Sequence, residues 1–393
     1  MKNSHRYLPC ALLLSVSPFG FAESDLVQAL KEGDLKLNLR SRFEDVDQDG
    51  VKGSDVLNLR TRLTYKSGIY QGFNLLLEVD DLTNLTDDDF NDGTGTNPGT
   101  AVIADPEGTE VNQAYLNYQY QETQLRYGRQ RILLDNQRFV GGVGWRQNEQ
   151  TYDAFSLTDE TLDGLKVFYA YVYNVNRIFG ESVAAGDHDH ETHLVNVSYS
   201  GLAFGKLVGY AYLIDNESAP ALANDTYGLR WEGKINEMFS YNLEYATQEE
   251  AGDNPVDYSA DYFLAEAMAK INRFNFKVGY ELLGSDDGVK AFTTSLATLH
   301  AFQGWTDKFL ATPNTGVEDL YASVGTKLGP VKLSVVYHDL SADEGNADHG
   351  TELGFVAGTK LGPVGLTLKY ADYDSDGFAT DTQKLWLMAN ATF

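Results

Sequence analysis

The carboxy-terminal segment alternates strictly between apolar and other side chains. Leu385, Leu387, Ala389 and Ala391 occupy one register, and the chain ends on the aromatic Phe393. Because successive residues of a strand point to opposite faces, this pattern predicts a strand with one apolar and one polar face. A last strand of this kind, ending on an aromatic residue, is typical of an outer-membrane β-barrel.

The composition indicates where the apolar faces of such strands point. The 393 residues include 24 Tyr and 20 Phe but only 9 Pro, which favours aromatic-rich strands with unbroken ladders. Mean hydropathy is −0.33, and no stretch approaches the roughly 18 consecutive apolar residues that a membrane-spanning helix needs. A soluble sandwich would bury its apolar faces, whereas these strands are expected to turn them towards lipid around a polar lumen.

Alternating segments of about ten residues, the length with which a tilted strand crosses a bilayer, recur along the chain. Short connections such as residues 67–71 and 362–363 alternate with long ones such as 81–109 and 284–316. The sequence therefore predicts an all-β, antiparallel transmembrane barrel of about 18 strands, with short periplasmic turns and long extracellular loops, in the outer membrane of a Gram-negative bacterium. The expected strands lie near residues 35–44, 56–66, 72–80, 112–120, 124–131, 151–158, 164–173, 192–200, 205–214, 225–235, 239–247, 258–269, 274–283, 317–327, 331–339, 351–361, 364–372 and 381–393.

The amino terminus predicts a secretory signal peptide over residues 1–22. Lys2 and Arg6 precede an apolar stretch, and the small-x-small sequence Gly20-Phe21-Ala22 is a cleavage site. The expected mature chain, residues 23–393, shows no composition shift that would divide it, so one barrel domain is predicted. The only cysteine of the full sequence, Cys10, would leave with the signal, so the mature chain is expected to have no disulfide, thiol nucleophile or cysteine metal site.

Four arginines fall on the expected lumen face of the first two strands. Placing leucines on the lipid side puts Arg40 and Arg42 of the first strand, and Arg60 and Arg62 of the second, inside the barrel. Antiparallel pairing sets the two pairs almost opposite each other, and the resulting repulsion requires acids or a ligand nearby. Glu78 and Asp80 on the next strand are the expected acids.

Further basic residues follow on the fifth strand and in the loop after it. A basic track for anions is one interpretation, and a wall of mixed charge, ordinary for a water-filled barrel, is the other. Glu232, Glu244 and Glu281 also point inward by register, as the second interpretation requires, and the two interpretations stay equally open. The additional candidate pore-lining residues are Arg126, Arg129, Arg131, Arg138 and Arg146.

The net charge of −27 constrains the partners of the chain. Many acids lie in expected outer loops, for example Asp286 and Asp287, where a solvated acidic rim is the ordinary explanation. A nucleic acid would be repelled by such a surface, so none is expected as a partner.

Two DxDxDG sequences resemble calcium loops. One comprises Asp45, Asp47 and Asp49, and the other Asp372, Asp374 and Asp376. A complete loop of this type has a bidentate glutamate at its twelfth position, which both sequences lack. The expectation is acidic turns with at most weak calcium binding or divalent bridging to lipid headgroups, and no other cofactor.

Catalytic signatures are weak. The chain has no GxSxG or HExxH sequence, and His193 and Ser198 fall on opposite strand faces by register, so a lipase-like pair of nucleophile and base is not expected. The three histidines His188, His190 and His193 are better explained as parts of a polar loop than as a metal site. The sequence therefore predicts a protein that is not an enzyme.

The middle of the chain resembles the alginate-export family of outer-membrane barrels. The similar stretches are VIADPEGTEVNQAYL at 102–116, GRQRILLDNQRFVGGVGWRQNEQ at 128–150 and NVNRIFG at 174–180. Residues 26–44 and 296–310 resemble the same family, so the likeness covers most of the mature chain. The resemblance implies an 18-stranded barrel and a lumen whose arginines face an anionic polysaccharide in the name-giving member. It also implies that Arg129, Arg131, Arg138 and Arg146 belong to a constriction.

Three functions remain open at this point. The favoured one is a porin-like channel for passive passage of small anionic solutes or acidic oligosaccharides. The alternatives are an exporter of an anionic polysaccharide such as alginate, and a plugged structural or surface-binding barrel, for which residues 284–316 would be the lid or plug. The expected partners are outer-membrane lipid, lipopolysaccharide and, through the Phe393 segment, the barrel-assembly machinery.

Overall fold

The computed structural model describes residues 25–86, 89–345 and 347–393, so the expected signal peptide lies outside the described residues. The chain begins there with a short helix, α1 (Asp25–Lys31), and continues almost entirely as strands. No helix within these ranges has the length and apolarity to cross a membrane. The strands are β1 (Asp34–Gln48), β2 (Ser54–Lys66), β3 (Phe73–Asn84), β4 (Gly108–Tyr120), β5 (Thr123–Gln130), β6 (Thr151–Asp159), β7 (Leu165–Asn176), β8 (Asp187–Leu202), β9 (Gly205–Ile214), β10 (Asn224–Lys234), β11 (Phe239–Glu250), β12 (Ser259–Ile271), β13 (Phe274–Leu283), β14 (Ser285–Asp286), β15 (Lys290–Ala291), β16 (Val317–Leu328), β17 (Val331–Ser341), β18 (Asp348–Leu361), β19 (Val364–Asp374) and β20 (Thr382–Thr392).

Eighteen of these strands form one antiparallel sheet that closes on itself. Each strand pairs with the next one along the chain, and β1 pairs with β20 to complete the barrel. The two remaining strands, β14 and β15, form a small hairpin inside the connection between β13 and β16. The predicted fold class and strand number are confirmed, and each barrel strand overlaps one of the expected segments.

The strands divide their side chains between lipid and lumen. In β20 the apolar register faces outward, where Leu387 is 45% exposed, while Trp386 between its neighbours is fully buried inside the barrel. In β2, Leu63 faces outward and Arg62 inward. The alternation with a period of two therefore has the predicted direction, apolar outward and polar inward.

The two ends of the barrel differ in the length of their connections. At the end that carries α1 and Phe393, turns such as 121–122, 329–330 and 362–363 are short, which identifies the periplasmic side. There α1 packs on the turn after β2, where the Gly68 N–H donates to the Ala29 carbonyl (2.8 Å). The longest connections, 85–107, 131–150 and 284–316, all lie at the extracellular end.

These three long loops fold into the barrel. Loop 85–107 buries Phe90 and Ile103 against Val46 of β1 and Val56 of β2, at the extracellular ends of these strands. Loop 131–150 buries Phe139 and Val140, together with Leu296 of loop 284–316, against the wall formed by β6 to β13. The lumen therefore contains its own apolar core, which sequence periodicity did not predict.

Loops 131–150 and 284–316 are joined to each other as well as to the wall. Val140 and Leu296 form a parallel bridge, and the Gly141 N–H donates to the Leu296 carbonyl (2.9 Å). The Thr298 N–H donates to the Gln137 carbonyl (3.0 Å). Since these bonds connect backbone to backbone, the two loops form one insert in the lumen.

Candidate functional site

Arg40 of β1 and Arg60 of β2 are direct partners across the ladder. Both side chains point into a cavity of about 540 Å³ on the periplasmic side of the inward loops. The cavity is bounded by β1, β2, β19 and β20 and by loop 131–150. Its charged lining residues are Arg40, Arg60, Arg62, Arg131, Glu78 and Glu149.

Neutral oxygens of loop 131–150 orient the arginines of β1 and β2. Arg40 donates from Nη1 to the Gly144 carbonyl (3.0 Å), from Nη2 to the Arg146 carbonyl, and from Nε to Gln147 Oε1 (2.6 Å). Arg60 donates to the Gln147 carbonyl (3.2 Å). We call residues 144–147 the carbonyl clamp.

The carbonyl clamp fixes these guanidinium groups without cancelling their charge. Besides the clamp, Arg60 donates to Asn38 Oδ1 (2.8 Å), which is also neutral, and its buried Nε has no partner. Within the described residues neither Arg40 nor Arg60 has a carboxylate within 4 Å. Both cations are therefore held in place and electrostatically available to an anion in the cavity.

Arg62 and Arg131, on the same cavity wall, are neutralised by acids. Arg62 forms a bidentate pair with Asp80 (2.6 and 2.5 Å) and a bond to Glu149 (2.6 Å). Arg131 contacts Glu149 and donates to Glu78 (2.6 Å). Burial alone would raise the pKa of Glu149, but Arg62 and Arg131 outweigh it and lower that pKa to about 2. Glu78 and Asp80 thus compensate Arg62, while Arg40 and Arg60 stay uncompensated.

A second charged cluster lies above the carbonyl clamp and joins all three inward loops. Arg42 contacts Asp105 of loop 85–107 and donates to the Trp145 carbonyl (2.7 Å). Arg146 pairs with Glu44 of β1 (3.2 Å) and with Asp307 of loop 284–316 (2.8 Å). Because every group there is buried and paired with opposite charge, this cluster holds the loops together and leaves no net charge for a solute.

Arg138 lies in the insert, away from the cavity. It is 1% exposed and donates to Glu281 of β13 (2.7 Å) and to Gln303 (3.0 Å). It also lies over the ring of Phe302, 4.6 Å from its centroid. The structure therefore gives Arg138 the contacts of an anchor for loop 131–150 on the wall and on loop 284–316.

Arg126 and Arg129 are not placed alike. Arg126 points inward and lies over the ring of Tyr115, 4.3 Å from its centroid. Arg129 shares the outward face of β5 with the lipid-facing Tyr127 and pairs with Asp153 (2.9 Å) and Glu181. The expectation that Arg129 lines the pore does not match this placement. Arg131, two residues later, reaches the lumen because the ladder of β5 ends at Gln130 and the chain turns inward there.

The acidic triplets do not form metal sites in the structure. Asp45 and Asp47 are alternate residues on the outward face of β1, and Asp372 and Asp374 are alternate residues of β19. Side chains two apart on a strand point in parallel and stand about 7 Å apart, so these two carboxylates do not converge on one point. Across the described part of the chain, no group of three or more His, Cys, Asp or Glu is arranged to hold a metal. Calcium binding therefore stays a prediction.

Several residues of the site were not identified from the sequence. Trp386 and Lys384 occupy inward positions of β20, and Lys369 an inward position of β19, so the period of two could have indicated them. Asp105, Gln147 and Asp307 come from loops, which have no periodicity. Only the fold of these loops brings them to the arginines.

Comparisons with known proteins agree with this architecture. No curated protein sequence matches the chain. The crystal structure of OccAB4 from Acinetobacter baumannii has a TM-score of 0.72 at 15% identity, covering 92% of this chain and 98% of that chain. OpdK from Pseudomonas aeruginosa, crystallised with vanillate, has a TM-score of 0.73 at 14% identity, covering 93% and 99%. At these identities the likeness shows a shared barrel fold.

A family comparison identifies the chain itself. The model of the alginate-export family matches residues 32–286, well over half of the sequence. The match includes the similar stretches 102–116, 128–150 and 174–180, whereas residues 296–310 lie beyond it. The closed barrel of 18 strands with apolar residues facing outward agrees with this match and with a location in the bacterial outer membrane. The chain therefore belongs to the alginate-export family of outer-membrane β-barrels.

Proposed function

We propose that this protein is a passive outer-membrane channel for small anionic solutes or acidic oligosaccharides. The observation that carries the proposal is the pair Arg40 and Arg60, held by neutral oxygens in a cavity without carboxylate partners of their own. In a narrow pore, fixed positive charge lowers the barrier for an anion and raises it for a cation.

The arrangement suits passage better than permanent capture. Several N–H donors of Arg40 and Arg60 are already bonded to the carbonyl clamp. An anion in the cavity therefore meets oriented positive charge but few free N–H donors. Glu78 and Glu149 on the same wall limit the excess of positive charge. Binding strong enough to attract a solute and weak enough to release it is what conduction requires.

Ion selectivity of the purified protein tests the proposal. Protein refolded into a planar bilayer should give stable conductance steps and, under a salt gradient, a reversal potential of the sign for anion preference. Arg40→Gln combined with Arg60→Gln should move that potential towards zero, whereas Arg273→Gln in a periplasmic turn should leave it unchanged. Cation preference of the wild type, or anion preference that survives the double substitution, would contradict the role of the arginine pair.

The filled lumen supports a second candidate, a plugged structural or surface-binding barrel. Three loops enter the barrel, and Arg138 and Phe139 of loop 131–150 are buried against the wall. Absence of conductance from protein shown to be folded would favour this candidate. Conductance that appears only after part of loop 284–316 is removed would favour it further.

The expected partners also stay proposals. The outward-facing apolar residues, such as Leu63 and Leu387, are proposed to contact outer-membrane lipid and lipopolysaccharide. The Phe393 segment is proposed to engage the barrel-assembly machinery. Its support is that the Phe393 side chain is 65% exposed at the periplasmic rim.

A further inference from the structure

Lys369 is a buried lysine on the lumen face of β19. It is 6% exposed, and no described carboxylate lies within 4 Å of its Nζ. Its hydrogen-bond partner is the Nε2 of His300 in loop 284–316, at 2.7 Å. An ammonium group in such a place loses its hydration and requires another source of stabilisation.

Three of the four tryptophans of the chain surround this ammonium group. Nζ lies 3.9 Å from the ring centroid of Trp305, 4.1 Å from that of Trp145 and 5.4 Å from that of Trp386. A cation over the face of an aromatic ring is attracted by the ring quadrupole, most strongly by tryptophan. We call Lys369 and these three rings the tryptophan cage.

The residues of the tryptophan cage come from separate elements of the fold. Trp386 belongs to β20, Trp145 to loop 131–150 and Trp305 to loop 284–316. Trp305 fits against Gly354 of β18, where an added Cβ would come within 2.8 Å of the indole ring. Glu352 of β18 accepts the backbone N–H groups of Trp305 and, at 3.0 Å, of Thr306. The cage is therefore a built site in which β18 and β19 hold both loops of the insert.

His300 completes the cage as a neutral base. Its ring stacks on Trp145 with 4.7 Å between centroids and 8° between planes. Nε2 accepts from Lys369, so Nδ1 carries the proton and donates to Asp307 (2.6 Å). Burial, followed by the neighbouring charge of Lys369, lowers the pKa of His300 to about 3, which agrees with this neutral tautomer.

The position of Trp145 connects the cage to the arginine cavity. Trp145 is a member of the carbonyl clamp, between the Gly144 and Arg146 carbonyls that orient Arg40. Its own carbonyl accepts from Arg42, and its side chain also lines the cavity. Whatever fixes the Trp145 ring therefore fixes the oxygens that set the direction of the guanidinium groups.

We propose that Lys369 is the positioning residue of the channel: through the tryptophan cage it holds the carbonyl clamp, and with it the insert, against the barrel wall. This inference rests on the proposed function. Loss of the ammonium group releases the Trp145 and Trp305 rings from a common partner. The guanidinium groups of Arg40 and Arg60 then lose their fixed direction, and the insert moves between docked and undocked positions.

A merely structural role for Lys369 predicts no change in current fluctuation or selectivity when the ammonium group is removed. Replacing a buried charge by an apolar side chain of similar length is often neutral or stabilising. Lys369→Met should therefore leave the folded barrel intact in either case. Only the positioning role predicts a change in current fluctuation and selectivity.

Single-channel recording of matched variants tests the proposal. Lys369→Met should increase the frequency of closing and partial-closing events at least threefold and move the reversal potential towards zero. Gly354→Ala leaves Lys369 in place but displaces Trp305, and it should increase the fluctuation in the same way. Lys52→Met removes the same charge from an exposed extracellular turn and should behave as wild type.

Tryptophan fluorescence gives an independent readout. Trp231 is the only tryptophan outside the cage and packs between Phe204 and Tyr241 near the periplasmic end. In a Trp231→Phe background all remaining emission therefore comes from the cage. Lys369→Met should at least double the acrylamide quenching constant of this emission, and Lys52→Met should not change it.

The outcomes separate this inference from the proposed function. If the wild type shows no anion preference, the proposed function fails, and the fluorescence measurement still decides whether Lys369 holds the insert. If the wild type prefers anions while Lys369→Met and Gly354→Ala keep wild-type fluctuation, selectivity and quenching, Lys369 is not a positioning residue. Heat-modifiable electrophoretic mobility confirms that each variant is folded before it is recorded.

Discussion

At the scale of single residues, the partner of an arginine decides what that arginine can do. Arg62 donates to three carboxylate oxygens of Asp80 and Glu149, so its charge is cancelled locally. Arg40 donates to carbonyl and amide oxygens, which satisfy its hydrogen bonds and leave its charge. Arg40 and Arg62 lie on adjacent strands of one wall and yet differ in function, because neutral loop oxygens bind Arg40 whereas carboxylates pair with Arg62.

Glu149 is expected to reduce the anion preference of the cavity. Glu149→Gln removes one of its negative charges and keeps the shape of the side chain. We expect the anion-to-cation permeability ratio to rise about two- to fivefold, since one charge a few ångströms from the ion is worth up to about 1 kcal/mol in water. Reversal potentials measure this ratio, with Glu160→Gln in an exposed periplasmic turn as the control. An unchanged or smaller ratio would show that Glu149 does not influence the permeating ion.

The contribution of Glu149 to the selectivity should be independent of pH over the neutral range. The folded-state pKa of Glu149 is lowered to about 2 from an ordinary value of about 4.3, so its carboxylate and the stability it contributes are fully present above about pH 4.3. Both are lost as the pH falls towards 2. The difference in reversal potential between the wild type and Glu149→Gln should stay constant from pH 8 to pH 5 and disappear only in more acidic solution. A titration with a midpoint near pH 5 that disappears in Glu149→Gln would contradict the ion pairs of Glu149 with Arg62 and Arg131.

At the scale of elements, the strands could be predicted from sequence because their register is strongly determined. A slip by one residue would place Leu57, Leu59 and Leu63 in the lumen and Arg60 and Arg62 in lipid, so only one register is tolerable. This is why the arginines of the first strand could be expected almost opposite those of the second before the fold was known. The structure places the two residues as direct partners.

Loops have no alternation that determines which way a side chain points, so the predictions from sequence were incomplete for the loops. The inward position of Arg131 and the outward position of Arg129 follow from the end of the β5 ladder at Gln130, which the alternation does not indicate. Loop 284–316 was recognised as too long for a turn, but its partners could not be derived. His300, Trp305 and Asp307 contact Lys369, Glu352 and Lys384, which lie on β18 to β20 and are 47 to 77 residues away along the chain.

Loop 284–316 is expected to limit the current. Deleting residues 294–311 removes Leu296 and Phe309, which are buried in the lumen, and Asp307, which pairs with Arg146. We expect the unit conductance to rise at least about twofold, because the pore widens, and the anion preference to fall, because the carbonyl clamp loses its support. Deleting residues 95–98, an exposed loop tip, is the matched control. Equal conductance of the wild type and the 294–311 deletion would mean that the conducting path lies elsewhere.

At the scale of the whole molecule, the ring of Phe393 contributes little to closing the barrel. The barrel uses the backbone of this residue, which exchanges hydrogen bonds with Leu37 (2.8 and 3.0 Å), while the side chain remains exposed. Phe393→Ala should therefore refold in detergent with an unchanged thermal midpoint. If the segment engages the assembly machinery, the amount of folded barrel in outer-membrane fractions should fall severalfold. Equal amounts in cells would remove the support for that partner.

The dimensions of the lumen distinguish small acids from a polymer as the cargo. A cavity of about 540 Å³, bounded by loop 131–150, lies in the range that holds a small or drug-sized ligand. Family membership alone would allow an anionic polysaccharide as the cargo. The two candidate cargos predict a different dependence of uptake and block on the length of the oligomer. Proteoliposomes should take up a monomeric uronate readily and its dimer more slowly, and should exclude oligomers of about eight units, for which the insert leaves too little space.

The same series added to a planar bilayer should block the wild-type current with an affinity that stops increasing beyond the dimer, because only one or two units reach Arg40 and Arg60 together. Affinity that keeps rising with length, together with uptake of the longest chains, would instead mean that the insert undocks for a polymer, and the export function would then be favoured over the channel for small anions.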